Sequence, residues 1–275
     1  MPLLIWIVLF TLLGGVLSVV AASLFLLLPE RLRQQVIPHS ISFAIGALLG
    51  AAFLALLPHA LSGGFDPHRI MLAVLLGVLG FFLLEKLVLW RHCHGNSCPP
   101  VAHDNEHQFV LHPHGHHERG GDHSHGRSAS GILILVGDSI HNFVDGVLIA
   151  AAFLTDPHLG IVTALAVAAH EIPQEVGDFA VLLHSGFKRG KAFIFNIISS
   201  LTTVIGGVLA YYSMAETQQY LPFVLAIAAS SFIYIAVADL IPGLHRRLDI
   251  RASLQQITLI AAGVGLIFFA HSTLH

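Results

Sequence analysis

The sequence predicts an all-α protein that crosses a membrane eight times, and three observations carry that reading. The 275 residues are 55% hydrophobic and only 11% charged, with a mean hydropathy of +0.78, well above what a soluble core needs. The apolar residues fall into eight runs of spanning length, a spanning helix needing about 20 mainly apolar residues at 1.5 Å each. Lysine and arginine sit almost entirely on one side of those runs. The net charge of −3 with histidine neutral says little about partners, and no basic cluster points to nucleic acid. Two cysteines, Cys93 and Cys98, share one loop and make no disulfide framework.

The first span runs from Leu3 to Leu28 and contains no charge. Arg31 and Arg33 follow it and no basic residue precedes it, the reverse of a cleaved signal, so an uncleaved helix is expected. Ile41 to Leu61 is the second span, closing on Leu57-Pro58-His59, and Ile70 to Trp90 is the third, with Glu85 and Lys86 near its end. Residues 91–130 break the pattern. Ten of the twenty histidines lie there among Gly, Ser, Pro and Asp, and the absence of apolar periodicity predicts a loosely ordered loop. Five further spans follow: Gly131 to Phe153, Leu159 to Leu183, Ala192 to Met214, Leu221 to Ile241 and Leu254 to Ala270. One integral membrane domain therefore divides into helices 1–3 (1–90), a histidine-rich loop (91–130) and helices 4–8 (131–275).

With the N-terminus outside, Arg31, Arg33, Lys86, Arg91, Arg119, Arg127, Lys188, Arg189, Lys191, Arg246, Arg247 and Arg251 all fall inside, and only Arg69 falls outside. This asymmetry predicts a multi-pass protein of the cell membrane with both termini outside and the histidine-rich loop in the cytoplasm. Helix two ends Ala55-Leu56-Leu57-Pro58-His59 and helix seven ends Ala238-Asp239-Leu240-Ile241-Pro242, in opposite directions. That match suggests an inverted repeat of helices 1–3 and 6–8 around central helices 4 and 5.

The fifth span carries His170, Glu171, Gln174, Glu175 and Asp178, which on a 3.6-residue repeat form one stripe. An acidic group at the bilayer centre costs about 2.5–3.5 kcal/mol on insertion scales, so three on one helix call for burial, partners or function. Pro173 within the stripe removes one N–H and is expected to bend the helix and free the Ala169 carbonyl. The fourth span carries Asp138, His141, Asn142 and Asp145, again a single stripe. Two antiparallel helices joined by a short turn near Thr155 to His158 would face these stripes at similar depth. Imidazole with carboxylate suits zinc and iron, and i, i+4 pairs from two helices supply four ligands to one ion. The first expected site is His141, Asp145, His170 and Gln174, with Asn142, Glu171 and Glu175 around a neighbouring metal or relay position.

On these residues, His141-Asn142-Phe143-Val144-Asp145-Gly146 and His170-Glu171-Ile172-Pro173-Gln174-Glu175-Val176-Gly177-Asp178, the chain resembles the Zrt/Irt-like (ZIP) family of metal transporters. Eight spans, outside termini and a histidine-rich loop between helices three and four match as well. It is most similar to the subfamily whose fifth helix reads His-Glu-x-Pro-His-Glu-x-Gly-Asp. The resemblance implies uptake of zinc or related divalent cations towards the cytoplasm; iron, manganese or cadmium would follow from a relaxed selectivity at residue 174. It also implies a binuclear or near-binuclear centre whose ligands are His141, Asn142, Asp145, His170, Glu171 and residue 174. Residue 174 departs from the pattern: Gln replaces the second His, which should weaken zinc affinity or relax selectivity.

The same residues admit other readings. A buried polar network that merely joins helices is seldom this acidic. His170-Glu171 begins like a zinc-hydrolase signature but lacks its second His, so an intramembrane metallohydrolase is disfavoured and no enzyme is expected. A metal exporter or a sensor would use the same ligands. Asp138 suits either the pathway or a second-layer contact to His141; Asp178 extends the helix-five stripe. His59 and Asp239 suit a pathway or a helix–helix hydrogen bond, whereas Asn196 and His184 read as packing and interface groups. The loop histidines around His112 to His117, with His123 and His125, and Cys93 with Cys98, suit weak, modulatory metal binding. No prosthetic group is expected; the partners are divalent metal ions and membrane lipid, and a homodimer is compatible with the sequence.

Overall fold

A computed structural model describes residues 3–92, 124–245 and 249–274; the loop tract from Cys93 to His123 lies outside them. Every regular element among the described residues is helical, and they form eight long segments. These are α1, Leu3–Phe25; α2, Glu30–Ser62; α3, Pro67–His92; α4, Ser124–Thr155; α5, Pro157–His184; α6, Arg189–Met214; α7, Gln218–Leu244; and α8, Ile250–Leu274. Seven are long and apolar enough to cross a membrane. The remaining one, α5, has 28 residues, and its buried polar stripe lowers its hydropathy.

Two helices begin earlier than their apolar runs. α2 starts at Glu30 and α4 at Ser124, extending a spanning helix into polar sequence, because adding a residue to an existing helix is far cheaper than nucleating one. α5 runs unbroken across Pro173.

The bundle has an apolar core that encloses a smaller set of buried polar and charged residues, and an apolar outer surface. Leu72, Leu75, Leu76, Leu79 and Leu83 on α3 and Leu254, Ile257 and Phe269 on α8 are exposed, whereas Asp145, His170, Glu171 and Glu175 are buried. Lipid solvates the former and only protein or a passing ion can satisfy the latter.

Packing is reciprocal. α2 lies along α8 as α7 lies along α3, and α4 lies along α6 as α5 lies along α1, the pattern an inverted repeat of helices 1–3 and 6–8 produces. The end of α2 and the end of α7 also share a local device. Ala51–Leu56 and Ile235–Leu240 are π-helical, with Leu57 N–H bonded to the Ala52 carbonyl and Ile241 N–H to the Ala236 carbonyl. Each widened turn ends one residue short of a proline, Pro58 or Pro242, whose ring and missing N–H a regular turn accommodates poorly.

Glycine sets the closest contact. A Cβ on Gly146 of α4 would lie 1.9 Å from the Thr203 carbonyl oxygen of α6, and one on Gly206 would lie 2.1 Å from the Phe143 carbonyl oxygen. Only glycine permits backbones to approach this closely. Cross-helix hydrogen bonds reinforce the contact, Thr202 Oγ1 donating to the Ser139 carbonyl at 2.7 Å and Ser139 pairing with Ser199 at 2.8 Å.

Candidate metal centre

The site begins with the hinge between α4 and α5. α4 ends at Thr155 and α5 opens with Pro157, proline at the first helical position being preorganised for a start. Asp156 between them caps α5, its Oδ1 accepting from His158 N at 2.8 Å and Leu159 N at 3.1 Å. This tight antiparallel hairpin sets the two polar stripes face to face, because each lies a similar number of turns from it.

His141, Asp145, His170 and Glu171 then meet, one ligand atom of each lying within 4.8 Å of every other. His141 Nε2 is 3.3 Å from His170 Nε2, 3.8 Å from Asp145 Oδ2 and 3.5 Å from Glu171 Oε1. His170 Nε2 is 3.2 Å from Asp145 Oδ2 and 3.7 Å from Glu171 Oε1. A tetrahedral zinc ion with bonds of 2.0–2.2 Å separates its ligands by about 3.3–3.6 Å. The donor atoms thus already stand close to the edges of a zinc coordination tetrahedron.

Local bonds aim the donors. His170 Nδ1 lies 3.1 Å from the Ala166 carbonyl one turn earlier; a carbonyl only accepts, so Nδ1 carries the proton and Nε2 keeps a lone pair for a metal. Asp145 and Glu171 together present four oxygens that accept no hydrogen bond, although both residues are 0% exposed. Buried carboxylates without a partner are strongly unfavourable unless a cation compensates them. His141 is the accessible member, its side chain 24% exposed, and Phe232 of α7 closes the far side with its ring edge-on to His170 at 6.2 Å.

The three other expected ligands, Asn142, Gln174 and Glu175, each lie beside Asp138. The Asn142 carboxamide donates to the Asp138 carbonyl at 3.1 Å and to Asp138 Oδ1 at 3.0 Å, and accepts from Thr203 Oγ1 at 2.8 Å. Gln174 lies against Asp138, and Glu171 is the fourth member of the cluster. Glu175 neighbours Asp138, Asp178 and Asn196.

The acidic residues continue away from the cluster as a series. Asp178 lies near both Asp138 and Asp239, and Asp239 near Glu85 of α3, whose carboxylate accepts a hydrogen bond from the Tyr234 hydroxyl. His59 lies on α2. Its Nδ1 bonds the Ala55 carbonyl at 2.9 Å and its ring meets His271 of α8 edge-on at 5.4 Å. Glu85, Thr203 and Phe232 have roles here that periodicity alone did not show; Glu85, as an acidic residue inside a span, was the one with a visible signal.

An all-helical bundle with helices of membrane-spanning length, whose interior gathers two imidazoles and two carboxylates within 4.8 Å of one another, is an integral membrane protein with a donor set that could hold a metal ion. A family model described as "ZIP Zinc transporter" matches residues 2–271. The chain belongs to that family. It is 31% identical to Zinc transporter ZIP13 of Gallus gallus over 281 residues, covering 88% of this chain and 75% of that protein. With ZIP13 of Homo sapiens it shares 33% identity over 253 residues, 82% of this chain and 68% of that protein. With Zinc transporter ZIP4 of Rattus norvegicus it shares 30% over 271 residues, 82% of this chain but only 41% of that protein.

Proposed function

We propose that the chain carries zinc, and with it related divalent cations such as iron, manganese or cadmium, across the cell membrane towards the cytoplasm through the His141, Asp145, His170 and Glu171 cluster. The observation that carries this reading is the tetrahedral spacing of four donor atoms whose carboxylates have no other partner. The ion sheds water as it enters past His141, the exposed ligand, and is held between α4 and α5. It leaves along Asp138 and Glu175, then Asp178, Asp239 and Glu85. That series runs towards the ends of α5 and α7 where the basic residues gather, the side that the positive-inside rule assigns to the cytoplasm. Cargo binding displaces protons from the ligands, which links transport to pH.

The test is uptake of radioactive zinc by liposomes containing the purified protein, with Asp145→Ala and His170→Ala beside wild type. Saturable uptake that both substitutions abolish while the protein stays folded is expected. Uptake unaffected by either would remove the cluster from the pathway, and no wild-type uptake of any divalent metal in either orientation would overturn the carrier reading itself.

A further inference from the structure

α2 and α8 give no member to the four-residue cluster, yet they bring two more imidazoles together. The two helices run side by side in the same direction: a Cβ on Gly46 would lie 2.0 Å from the Ile260 carbonyl oxygen, and one on Gly50 would lie 3.2 Å from the Ile267 Cβ. His271 follows Ile267 by four residues, which keeps it on the face of α8 that meets α2. His59 reaches that contact by a different route. It follows Gly50 by nine residues, and in an unbroken α-helix nine residues make about two and a half turns, which would point His59 away from α8. The π-helical stretch Ala51–Leu56 lies between the two. Its wider turn takes back about 100°, the rotation of one residue. His59 thereby swings towards α8, and its ring meets that of His271 edge-on, with centroids 5.4 Å apart and planes at 72°.

The His141 and His170 rings of the central cluster stand in nearly the same relation, 5.6 Å and 77°. His59 and His170 are also held alike, each Nδ1 bonding the carbonyl four residues earlier, Ala55 at 2.9 Å and Ala166 at 3.1 Å. A carbonyl only accepts, so Nδ1 of His59 carries the proton and Nε2 holds the lone pair that a metal takes. Both His59 and His271 are half-buried, which lets an ion reach them with water still attached. Irregular π turns are frequent at functional sites, and the effect of this one is to pair two imidazoles.

We propose that His59 and His271 form a metal site of their own, on helices other than those of the central cluster. It takes borderline divalent transition ions such as Ni2+, Cu2+ and Zn2+, which imidazole suits better than it suits hard ions such as Mg2+, with water completing the coordination. The site lies at the end of the bundle that the lysine and arginine asymmetry predicts to be outside, and an ion bound there ties the ends of α2 and α8 together. This goes beyond the transport reading and does not rest on it.

The experiment is thermal unfolding of the purified, tag-free chain carrying His170→Ala, which disables the central cluster, with and without Ni2+; Asp145→Ala serves the same purpose should His170→Ala not fold. Ni2+ is expected to raise the midpoint by about 5 °C at about a hundred times its dissociation constant, and Mg2+ to leave it unchanged. His59→Gln, whose carboxamide can still donate to the Ala55 carbonyl, and His271→Gln should each abolish the rise, and the two together should do no more than either alone. Metal-free midpoints report the fold of each variant, and either substitution suffices if the other fails that check. Ni2+ held by other histidines would give a rise that survives both substitutions, and that result would overturn the site. So would no rise in the His170→Ala chain, or an equal rise with Mg2+.

Discussion

Gly146→Ala adds a single methyl group, and the geometry around it gives the size of the effect. The new Cβ would sit 1.9 Å from the Thr203 carbonyl oxygen, 2.7 Å from its carbon and 2.9 Å from Gly207 N. All three are backbone atoms, so no side chain can swing aside. Ordinary contact begins at 3.4 Å, so α4 and α6 must separate by about 1.5 Å at this point. Overpacking of this kind costs about 1–3 kcal/mol. Asp145, the adjacent residue, moves with the backbone, and its 3.2 Å approach to His170 opens beyond a zinc tetrahedral edge; functional geometries tolerate only about 0.5 Å. Zinc uptake should therefore fall at least tenfold, together with a lower thermal midpoint. Gly137→Ala on the same helix is the control, since nothing lies within 4 Å of its Cβ. There, alanine should gain up to about 1 kcal/mol from helix propensity. Equal stability and uptake for wild type and Gly146→Ala would refute the glycine-set approach of α4 to α6.

Thr203→Val strips the hydroxyl that donates to Asn142 Oδ1 and leaves a buried acceptor unpaired; a loss of about 1–3 kcal/mol, read as a fall in thermal midpoint and restored by Thr203→Ser, is expected. Gln174→His places a third imidazole one turn after His170 and should tighten zinc in calorimetry; an unchanged affinity would count against position 174 lying within reach of the ion. Zinc binding should be strongest near neutral pH and weaken as pH falls, because the imidazoles and carboxylates must be deprotonated to bind. A zinc affinity that holds steady on acidification would argue for other ligands.

The apolar runs and the lysine and arginine asymmetry made the membrane class legible, since bilayer thickness and backbone hydrogen bonding leave few alternatives. The 3.6-residue period likewise placed His141 with Asp145 and His170 with Glu171 on single faces, because angular position along one helix is a local property. What lay beyond local reach was the rotation of each helix against its neighbours. A stripe is broad enough to offer either Glu171 or Gln174 to the centre. How α4 meets α6 is set by Gly146, Gly206 and Thr203, residues distant in sequence from one another. The same contact sets Asn142 against Thr203. The sequence by itself thus determined which residues share a helix face. Only the tertiary structure decided which of them meet across helices, because cross-helix register is fixed by steric contacts between distant segments and leaves no periodic trace in either one.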